Sequence, residues 1–351
     1  MSKQYQDELE SEINYKADQL VSALPEFCSK FFDHMKTIDR SARTRLQYAY
    51  DLQRFFTFEQ NQAGFQGFDI YSVSKASDVL DRISYEDVQE YFNTLNEHSY
   101  TDDQGREMNR RYSQSFKARN ISTIRSFWKF YYTRGEIEKD LSSLMEMPKM
   151  RNVEKFALDA SQVQRILNAV DTHENGKGNR QQLRDKAILT LLFGTGIRVS
   201  ELVGIDIQDV DFYNASILIT RKGGDQDVVF FSSEVENALR MYLDERRSGN
   251  VDSIGEQPLF LSNRGSRLSV RMVQELVGRY AREAGINANV TPHSARRTLG
   301  TFLYENTNDI YLVADTLHHK SIQTTRRYAK MSEDHKRKAQ ALSSDLLKDD
   351  K

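Results

Sequence analysis

One stretch of this chain has the pattern of a β-hairpin, and it lies between segments that have the period of helices. In residues 209–231, β-forming side chains stand on either side of a glycine pair, Gly223-Gly224, which suits a turn. The apolar residues of this stretch are Ile217, Ile219, Val228 and Phe230. Elsewhere apolar residues recur three and four positions apart, as on one face of a helix. We therefore expect a mainly α fold with a small β-sheet or hairpin.

Several helices have a recognisable first residue. Ser41, Ser84 and Thr291 each offer a side-chain oxygen to the free N–H groups of a first turn, and Pro292 suits the first helical position. We predict helices over residues 1–24, 27–35, 41–56, 81–95 (starting near Ser84), 113–134, 159–170, 181–193, 233–246, 270–284, 292–304, 310–317 and 322–330, with a polar loop at 99–105.

The length of the chain favours two domains. At 351 residues, with 38% hydrophobic and 11% aromatic residues, the chain is long for one core and apolar enough for two. Residues 147–157 include a stretch without periodicity that contains Pro148, one of four prolines, and they read as a linker. We expect an all-helical domain at residues 1–146 and a second domain, helical with the small sheet, at residues 158–351.

The composition also excludes several classes of protein. The single cysteine, Cys28, rules out a disulfide framework or a cysteine-rich zinc site, and it suits a reducing cytoplasm. The acidic N-terminus lacks the layout of a signal peptide, and no apolar run approaches the ~20 residues of a membrane span. Because carboxylate clusters with metal-ligand spacing and a phosphate-cradling glycine loop are both missing, we expect no metal and no nucleotide cofactor.

Charge is unevenly distributed along the chain although the net charge is only −2. One segment from the predicted loop into the following helix carries eight basic residues and the single acid Glu107: Arg106, Arg110, Arg111, Lys117, Arg119, Arg125, Lys129 and Arg134. Lys117, Arg119, Arg125 and Lys129 are expected on the polar surface of that helix. Such a surface suits the phosphates of a DNA backbone, and an ordinary solvated helix face is the alternative.

Two short motifs each contribute an arginine. Arg198 follows the turn Gly194-Thr195-Gly196 and lies three residues before Glu201, so the two side chains share a helix face. By itself this spacing also fits a surface ion pair. His293 falls in the first turn after Pro292, where free N–H groups favour an anion, and Arg296 lies one turn further on.

Three further residues complete a possible reaction centre. Lys222 lies at the hairpin tip, His319 follows a predicted helix, and Tyr328 comes nine residues after His319. Individually they also fit a solvated lysine, a core histidine and a half-buried aromatic residue. A tyrosine hydroxyl, with a pKa near 10, attacks only with a proton acceptor and cations nearby. Two arginines suit a phosphate, and the histidines, lysine and tyrosine supply what attack on a phosphodiester requires.

In this order, these motifs resemble the tyrosine recombinase (phage-integrase) family, in a compact Xer-like form. The segment containing Arg43 resembles the start of the family's helical core-binding domain. The resemblance implies a two-domain, C-shaped clamp on double-stranded DNA with paired half-sites, and a catalytic domain at the C-terminal side. It implies these roles: Arg198 and Arg296 on the scissile phosphate, Tyr328 as nucleophile, Lys222 as general acid, His293 in proton transfer, His319 on a phosphate oxygen, Glu201 as support and Arg43 at DNA.

The resemblance further implies a homotetramer on DNA in which each subunit passes a C-terminal segment to its neighbour. Residues 332–347, with Ala339, Leu342, Leu346 and Leu347, fit that segment, and a tail helix packed on its own domain is the alternative. Two positions depart from the family pattern: His318 replaces a usual glycine, and Arg297 replaces a frequent histidine.

The expected function is site-specific DNA recombination through a 3′-phosphotyrosyl intermediate and a Holliday junction. A type IB topoisomerase, which rejoins the same strand, uses similar groups and is the nearest alternative enzyme. A DNA-binding protein with a degenerate site is the alternative from another class.

Overall fold

The predicted mainly α architecture with a small sheet is confirmed. A computed structural model describes residues 3–96, 98–101, 107–110, 112–149, 156–171, 180–221, 224–248, 258–318, 321–323 and 325, and within them most of the chain is helical. Its backbone divides into two compact units, Asp7–Val153 and Glu154–Lys351, the second including Met1–Gln6. They are called the N-terminal and C-terminal units below. None of the described helices combines the length and apolarity needed to cross a membrane.

The first half of the chain contains six α-helices and two strands within the described residues. In order these are α1 (Lys3–Ser22), α2 (Cys28–Thr37), α3 (Ala42–Gln60), α4 (Ser77–Leu80), α5 (Tyr85–Thr94), β1 (His98–Thr101), β2 (Glu107–Arg110) and α6 (Gln114–Tyr132). The predicted caps are present: the Ser41 hydroxyl accepts from the Thr44 N–H, and that of Ser84 accepts from the Asp87 N–H. These bonds satisfy donors that a helix leaves open at its start.

One sequence prediction for this region was wrong, and one short helix was not predicted. The first domain is not all-helical, because β1 and β2 pair antiparallel where a polar loop was expected, with His98 opposite Arg110 and Thr101 opposite Glu107. Neither strand has an alternating apolar pattern, so neither carries the usual sequence signal for a strand. The short helix α4 was also not predicted.

Aromatic side chains fill the core of the N-terminal unit. Phe27 and Phe56 meet edge to face with ring centroids 5.6 Å apart, and Phe31 meets Phe127 in the same way at 5.2 Å. Trp128 is fully buried beside them. Edge-to-face contacts add to the stabilisation that burial of these large rings already supplies.

A buried carboxylate, Asp51, connects α3 with α6. Its oxygens accept hydrogen bonds from Arg119 Nε at 3.2 Å, Asn120 Nδ2 at 3.0 Å and Thr123 Oγ1 at 3.0 Å. Tyr91 of α5 donates to Asn120 Oδ1 at 2.7 Å and extends the network to a third helix. The charge of Asp51 is therefore compensated although none of its surface is exposed.

The C-terminal unit contains seven α-helices and one three-stranded sheet within the described residues. In order these are α7 (Ala160–Asp171), α8 (Arg180–Thr195), α9 (Val199–Gly204), β3 (Val210–Asp211), β4 (Ser216–Thr220), β5 (Gln226–Phe230), α10 (Ser233–Ser248), α11 (Val270–Glu283), α12 (Pro292–Thr307) and α13 (Ile310–Thr316). The predicted helix at 322–330 lies almost wholly outside the described residues.

Helix α8 is the centre of the C-terminal unit and packs against α7, α10 and α12. The sheet is antiparallel in the order β3-β4-β5, with Ile217 opposite Val229 and Ile219 opposite Asp227. Ile217, Ile219 and Val229 face the core, whereas Val228 and Phe230 are exposed on the other face. The period of two places Arg221, just after β4, on the inward-facing side.

We predict that replacing Asp51 by alanine destabilises the N-terminal unit by about 3 kcal/mol, because Asn120 and Thr123 lose a buried acceptor and Arg119 loses its counter-charge. Trp128 is the chain's single tryptophan and lies in this unit, so its fluorescence during urea unfolding reports on the unit directly. Asp33→Ala, at an exposed position of α2, is the matched control and should change stability little. Equal unfolding midpoints for the two variants would contradict the role given to Asp51.

A second buried carboxylate, Glu59, lies near the end of α3 without compensation. Neither of its oxygens has a hydrogen-bond partner, and its side chain is fully buried. Burial raises the pKa of Glu59 to about 8, and the negative charges of Asp87 and Glu90 add to the rise. Glu59 is therefore protonated in the folded protein at neutral pH.

This protonation predicts a stability that falls with rising pH. Between the ordinary pKa of 4.5 and about 8, the folded chain keeps a proton on Glu59 that the unfolded chain releases. Stability is therefore lost as pH rises through this window, by on the order of 5 kcal/mol, and the loss levels off above it. Glu59→Gln should match the wild type near pH 5 and exceed it increasingly towards pH 8.5, measured by Trp128 fluorescence. Glu138→Gln, at an exposed position, should show no such divergence; a constant offset between Glu59→Gln and wild type would refute the prediction.

Candidate active site

Arg198 is positioned by the turn that follows α8. Gly196 adopts a left-handed backbone with φ of 63°, and a β-carbon there would come within 2.9 Å of Leu317 and 3.1 Å of Leu299. Glycine is thus required for both its conformation and its size. Arg198 then begins α9, its backbone N–H donating to Glu201 Oε2 at 2.7 Å. Its side chain is 42% exposed, which leaves it accessible from solvent.

Glu201 is the buried centre of this cluster, not half of a surface ion pair. The Glu201 side chain is 3% exposed. Its Oε1 accepts a hydrogen bond from Arg198 NH1 at 2.8 Å, and both of its oxygens accept from Arg221 NH1 at 3.0 Å. Burial alone would raise the pKa of Glu201. The hydrogen bonds from Arg198 and the positive charges of Arg221 and Arg198 outweigh burial and lower the pKa below its ordinary value.

Arg221 and Asp227 were missed by the sequence analysis. Arg221 is buried directly before Lys222, and its Nε donates to Asp227 Oδ2 at 3.1 Å. The alternation of side chains along the strand could have predicted them, because Ile217, Ile219 and Arg221 lie on the same face. An arginine on an otherwise apolar, buried face requires buried hydrogen-bond partners.

Arg296 connects the second motif to the first. Thr291 caps α12 as predicted, His293 lies exposed in its first turn, and Arg296 follows one turn later with 3% exposure. Arg296 NH1 donates to the Gly196 carbonyl at 2.7 Å, and NH2 donates to the Leu317 carbonyl. The guanidinium of Arg296 therefore links the residues before Arg198 with those before His319.

The third motif begins at Leu317, which is fully buried, and continues with His318, whose φ is 48°. His318 Nδ1 lies 2.6 Å from Asp227 Oδ2. Burial lowers the pKa of His318 and the charge of Arg221 lowers it further, against an opposing effect of Asp227. The other departure from the family pattern, Arg297, donates to the Phe156 carbonyl at 3.0 Å.

The structure thus brings together three predicted residues, describes a fourth on a helix that carries one of them, and leaves the others undescribed. Arg198, Glu201 and Arg296 belong to one connected group, and His293 lies on the same helix as Arg296. Lys222, His319 and Tyr328 lie outside the described residues. The part of the chain that is described contains no group of three or more His, Cys, Asp or Glu side chains placed to hold a metal ion.

The predicted DNA-binding residues all lie in the N-terminal unit. Arg43 and Lys129 are exposed, and Lys117 and Arg125 are partly exposed. Arg119 is 38% exposed, and its guanidinium forms an ion pair with Asp51.

The described cluster in the C-terminal unit is suited to an anion. It combines the guanidinium groups of Arg198, Arg221 and Arg296 with the carboxylates of Glu201 and Asp227, so positive charge predominates. Each guanidinium is held by a carboxylate or a backbone carbonyl, which fixes its orientation before any ligand binds. Arginines oriented in this way can neutralise a phosphate through charge-assisted hydrogen bonds.

Comparisons with known proteins agree with this chemistry. Residues 157–335 match the model of the Phage integrase family. The tyrosine recombinase XerC of Thermodesulfovibrio yellowstonii is 32% identical over 242 residues, which cover 68% of this chain and 78% of that protein. XerC of Pelobacter propionicus is 31% identical over 221 residues, covering 63% of this chain and 70% of that protein.

The fold of the chain also agrees with that of solved recombinase structures. The crystal structure of the XerH site-specific recombinase bound to its difH substrate, a pre-cleavage complex, aligns with a TM-score of 0.62 at 19% identity. The alignment covers 96% of this chain and 94% of XerH. With a family match over more than half of its length and relatives above 30% identity, the chain belongs to the phage integrase family, as a Xer-like tyrosine recombinase.

Proposed function

We propose that this chain recombines DNA at specific sites by joining Tyr328 to one strand for the duration of strand exchange. The observation that carries the proposal is the double anchoring of Arg296, which links the Arg198 motif to the motif that contains His319. A phosphate held by Arg198 and Arg296 would lie where the three motifs meet. Membership of the phage integrase family supports the same reaction.

The proposed first step transfers the scissile phosphoryl group from the 5′-oxygen of one strand to the Tyr328 oxygen. The Tyr328 oxygen attacks the scissile phosphorus while His293 assists removal of its proton. The bond from phosphorus to the 5′-oxygen breaks, and Lys222 donates a proton to that oxygen, leaving a 3′-phosphotyrosyl link and a 5′-hydroxyl. Arg198, Arg296 and His319 stabilise the charge on the phosphate oxygens, and Glu201 holds Arg198.

The second step is the reverse reaction with a different strand. The energy of the phosphodiester is retained in the tyrosyl link, so the 5′-hydroxyl of a partner strand can reseal it without a nucleotide cofactor. Exchange of one pair of strands generates a Holliday junction, and exchange of the other pair resolves it.

The N-terminal unit supplies the proposed contacts to the DNA backbone through Arg43, Lys117, Arg119, Arg125 and Lys129. Arg119 already forms an ion pair with Asp51, so a DNA phosphate can contact only the exposed part of its side chain. XerH was determined with its difH substrate and the Tn1549 transposon integrase with DNA, which supports DNA as the partner of this chain. A cytoplasmic location fits that partner and the single, buried Cys28.

A homotetramer on paired half-sites completes the proposal. Residues 332–347 would pass from each subunit to its neighbour, with Ala339, Leu342, Leu346 and Leu347 as the apolar contacts; these residues lie outside the described part of the chain. A Holliday-junction assay separates recombination from the topoisomerase alternative, because only recombination produces strand-exchanged products.

We predict that Tyr328→Phe abolishes the covalent adduct on a nicked suicide substrate while DNA affinity stays within about threefold. The substitution removes the nucleophilic oxygen and little else. Denaturing gels detect the adduct, and gel shifts measure binding. An adduct formed by Tyr328→Phe would show that another residue is the nucleophile, and none with the wild type would leave only a DNA-binding role.

We predict that Lys222→Ala slows cleavage about 100-fold or more, since general-acid catalysis contributes 10²–10⁴-fold. A substrate with sulfur in place of the bridging 5′-oxygen should restore the rate, because a thiolate leaves without a proton. The matched control is Lys186→Ala, whose ammonium instead pairs with Asp171 on α7; it should cleave both substrates as the wild type does. Failure of the sulfur substrate to restore cleavage would remove Lys222 from the general-acid role.

A further inference from the structure

His318 has a backbone conformation that favours glycine, yet it is a histidine. Its φ of 48° lies in the left-handed region, where a β-carbon is strained and glycine is not. The position also departs from the family pattern noted above. Strain of this kind persists where contacts of the side chain offset it.

His318 makes such a contact with Asp227 on β5, and Asp227 in turn contacts other charged side chains. Asp227 Oδ2 lies 2.6 Å from His318 Nδ1, accepts a hydrogen bond from Arg221 Nε at 3.1 Å, and lies 3.0 Å from Arg221 NH2 in the same ion pair. Arg221 NH1 in turn binds both oxygens of Glu201, which holds Arg198. A continuous series of side-chain contacts therefore runs from the third motif, across the hairpin, to the first motif.

The two residues that share Asp227 Oδ2 each precede a proposed reactive residue. Arg221 comes directly before Lys222, and His318 directly before His319. A single carboxylate oxygen thereby restrains the chain just ahead of both the general acid and a phosphate ligand. The contact itself is geometric: at 2.6 Å from a carboxylate oxygen, His318 Nδ1 is placed as a hydrogen-bond donor, which both the neutral and the charged ring can provide.

We propose that His318 and Asp227 are positioning residues that set the placement of Lys222 and His319 relative to the phosphate. This role rests on the proposed function. It differs from a purely local role for His318, in which the residue would only form the turn after α13.

Two substitutions at His318 separate these roles. His318→Gly relieves the backbone strain but removes the donor to Asp227. His318→Asn tolerates a left-handed backbone and places an amide nitrogen as many bonds from the backbone as Nδ1. Asp227→Asn removes the acceptor charge, and Asp225→Asn, at an exposed position of the same hairpin, is the matched control.

The measurement is single-turnover cleavage of a nicked suicide substrate at saturating protein, with thermal melting and DNA affinity recorded for each variant. We expect His318→Gly and Asp227→Asn each to slow cleavage roughly 10- to 100-fold, the size expected from small misplacements of reacting groups. His318→Asn and Asp225→Asn should stay within about threefold of wild type. Combining His318→Gly with Asp227→Asn should cost no more than about threefold beyond the slower single variant, because both break one contact.

Each outcome decides between the alternatives. If His318→Gly cleaves as fast as the wild type, or if His318→Asn is as slow as His318→Gly at equal melting temperature, the positioning role is overturned. Fully additive losses in the double variant would also overturn it. Absence of an adduct with the wild-type chain would instead refute the proposed function itself, and this role with it.

Discussion

The C-terminal unit depends on one buried ionic interaction, the carboxylate of Glu201 held between Arg198 and Arg221. A buried carboxylate without partners would be expensive, and removal of either arginine would leave it undercompensated. The interaction therefore joins the start of α9 to the end of β4, two places where the chain has only short regular structure. It also orients Arg198 while leaving part of that side chain exposed, so less conformational entropy remains to be lost when a phosphate binds.

The N-terminal unit uses the same principle for a different purpose. Asp51 is fully buried and is satisfied by groups from α6, including Arg119, whose side chain reaches the surface. In both units a carboxylate in the interior holds an arginine at the boundary with solvent. Glu59 differs from Asp51 and Glu201 in that no partner compensates a negative charge there, and its carboxyl group keeps its proton instead.

Much of the fold could be predicted because its signals are local. The caps at Ser41, Ser84 and Thr291 involve neighbours three residues away, and the helical periods need only one element at a time. The hairpin β1–β2 was not predicted because its two strands lack the alternation of apolar and polar residues that indicates a strand. In the site, Arg198, Glu201, His293 and Arg296 were predicted from motifs, whereas Arg221 and Asp227 were not, since their partners lie on other elements.

The sequence by itself determined the reaction class and the helical character of the chain, because the reactive residue types, their order and the helix periods are properties of the linear chain. Only the tertiary structure decided that Glu201 is buried instead of forming a surface pair, and that Arg296 bridges Gly196 and Leu317. It also decided that His318 and Arg221 share one oxygen of Asp227. The physical reason is that burial and contacts between distant residues follow from how elements pack, and no spacing along the chain encodes that packing.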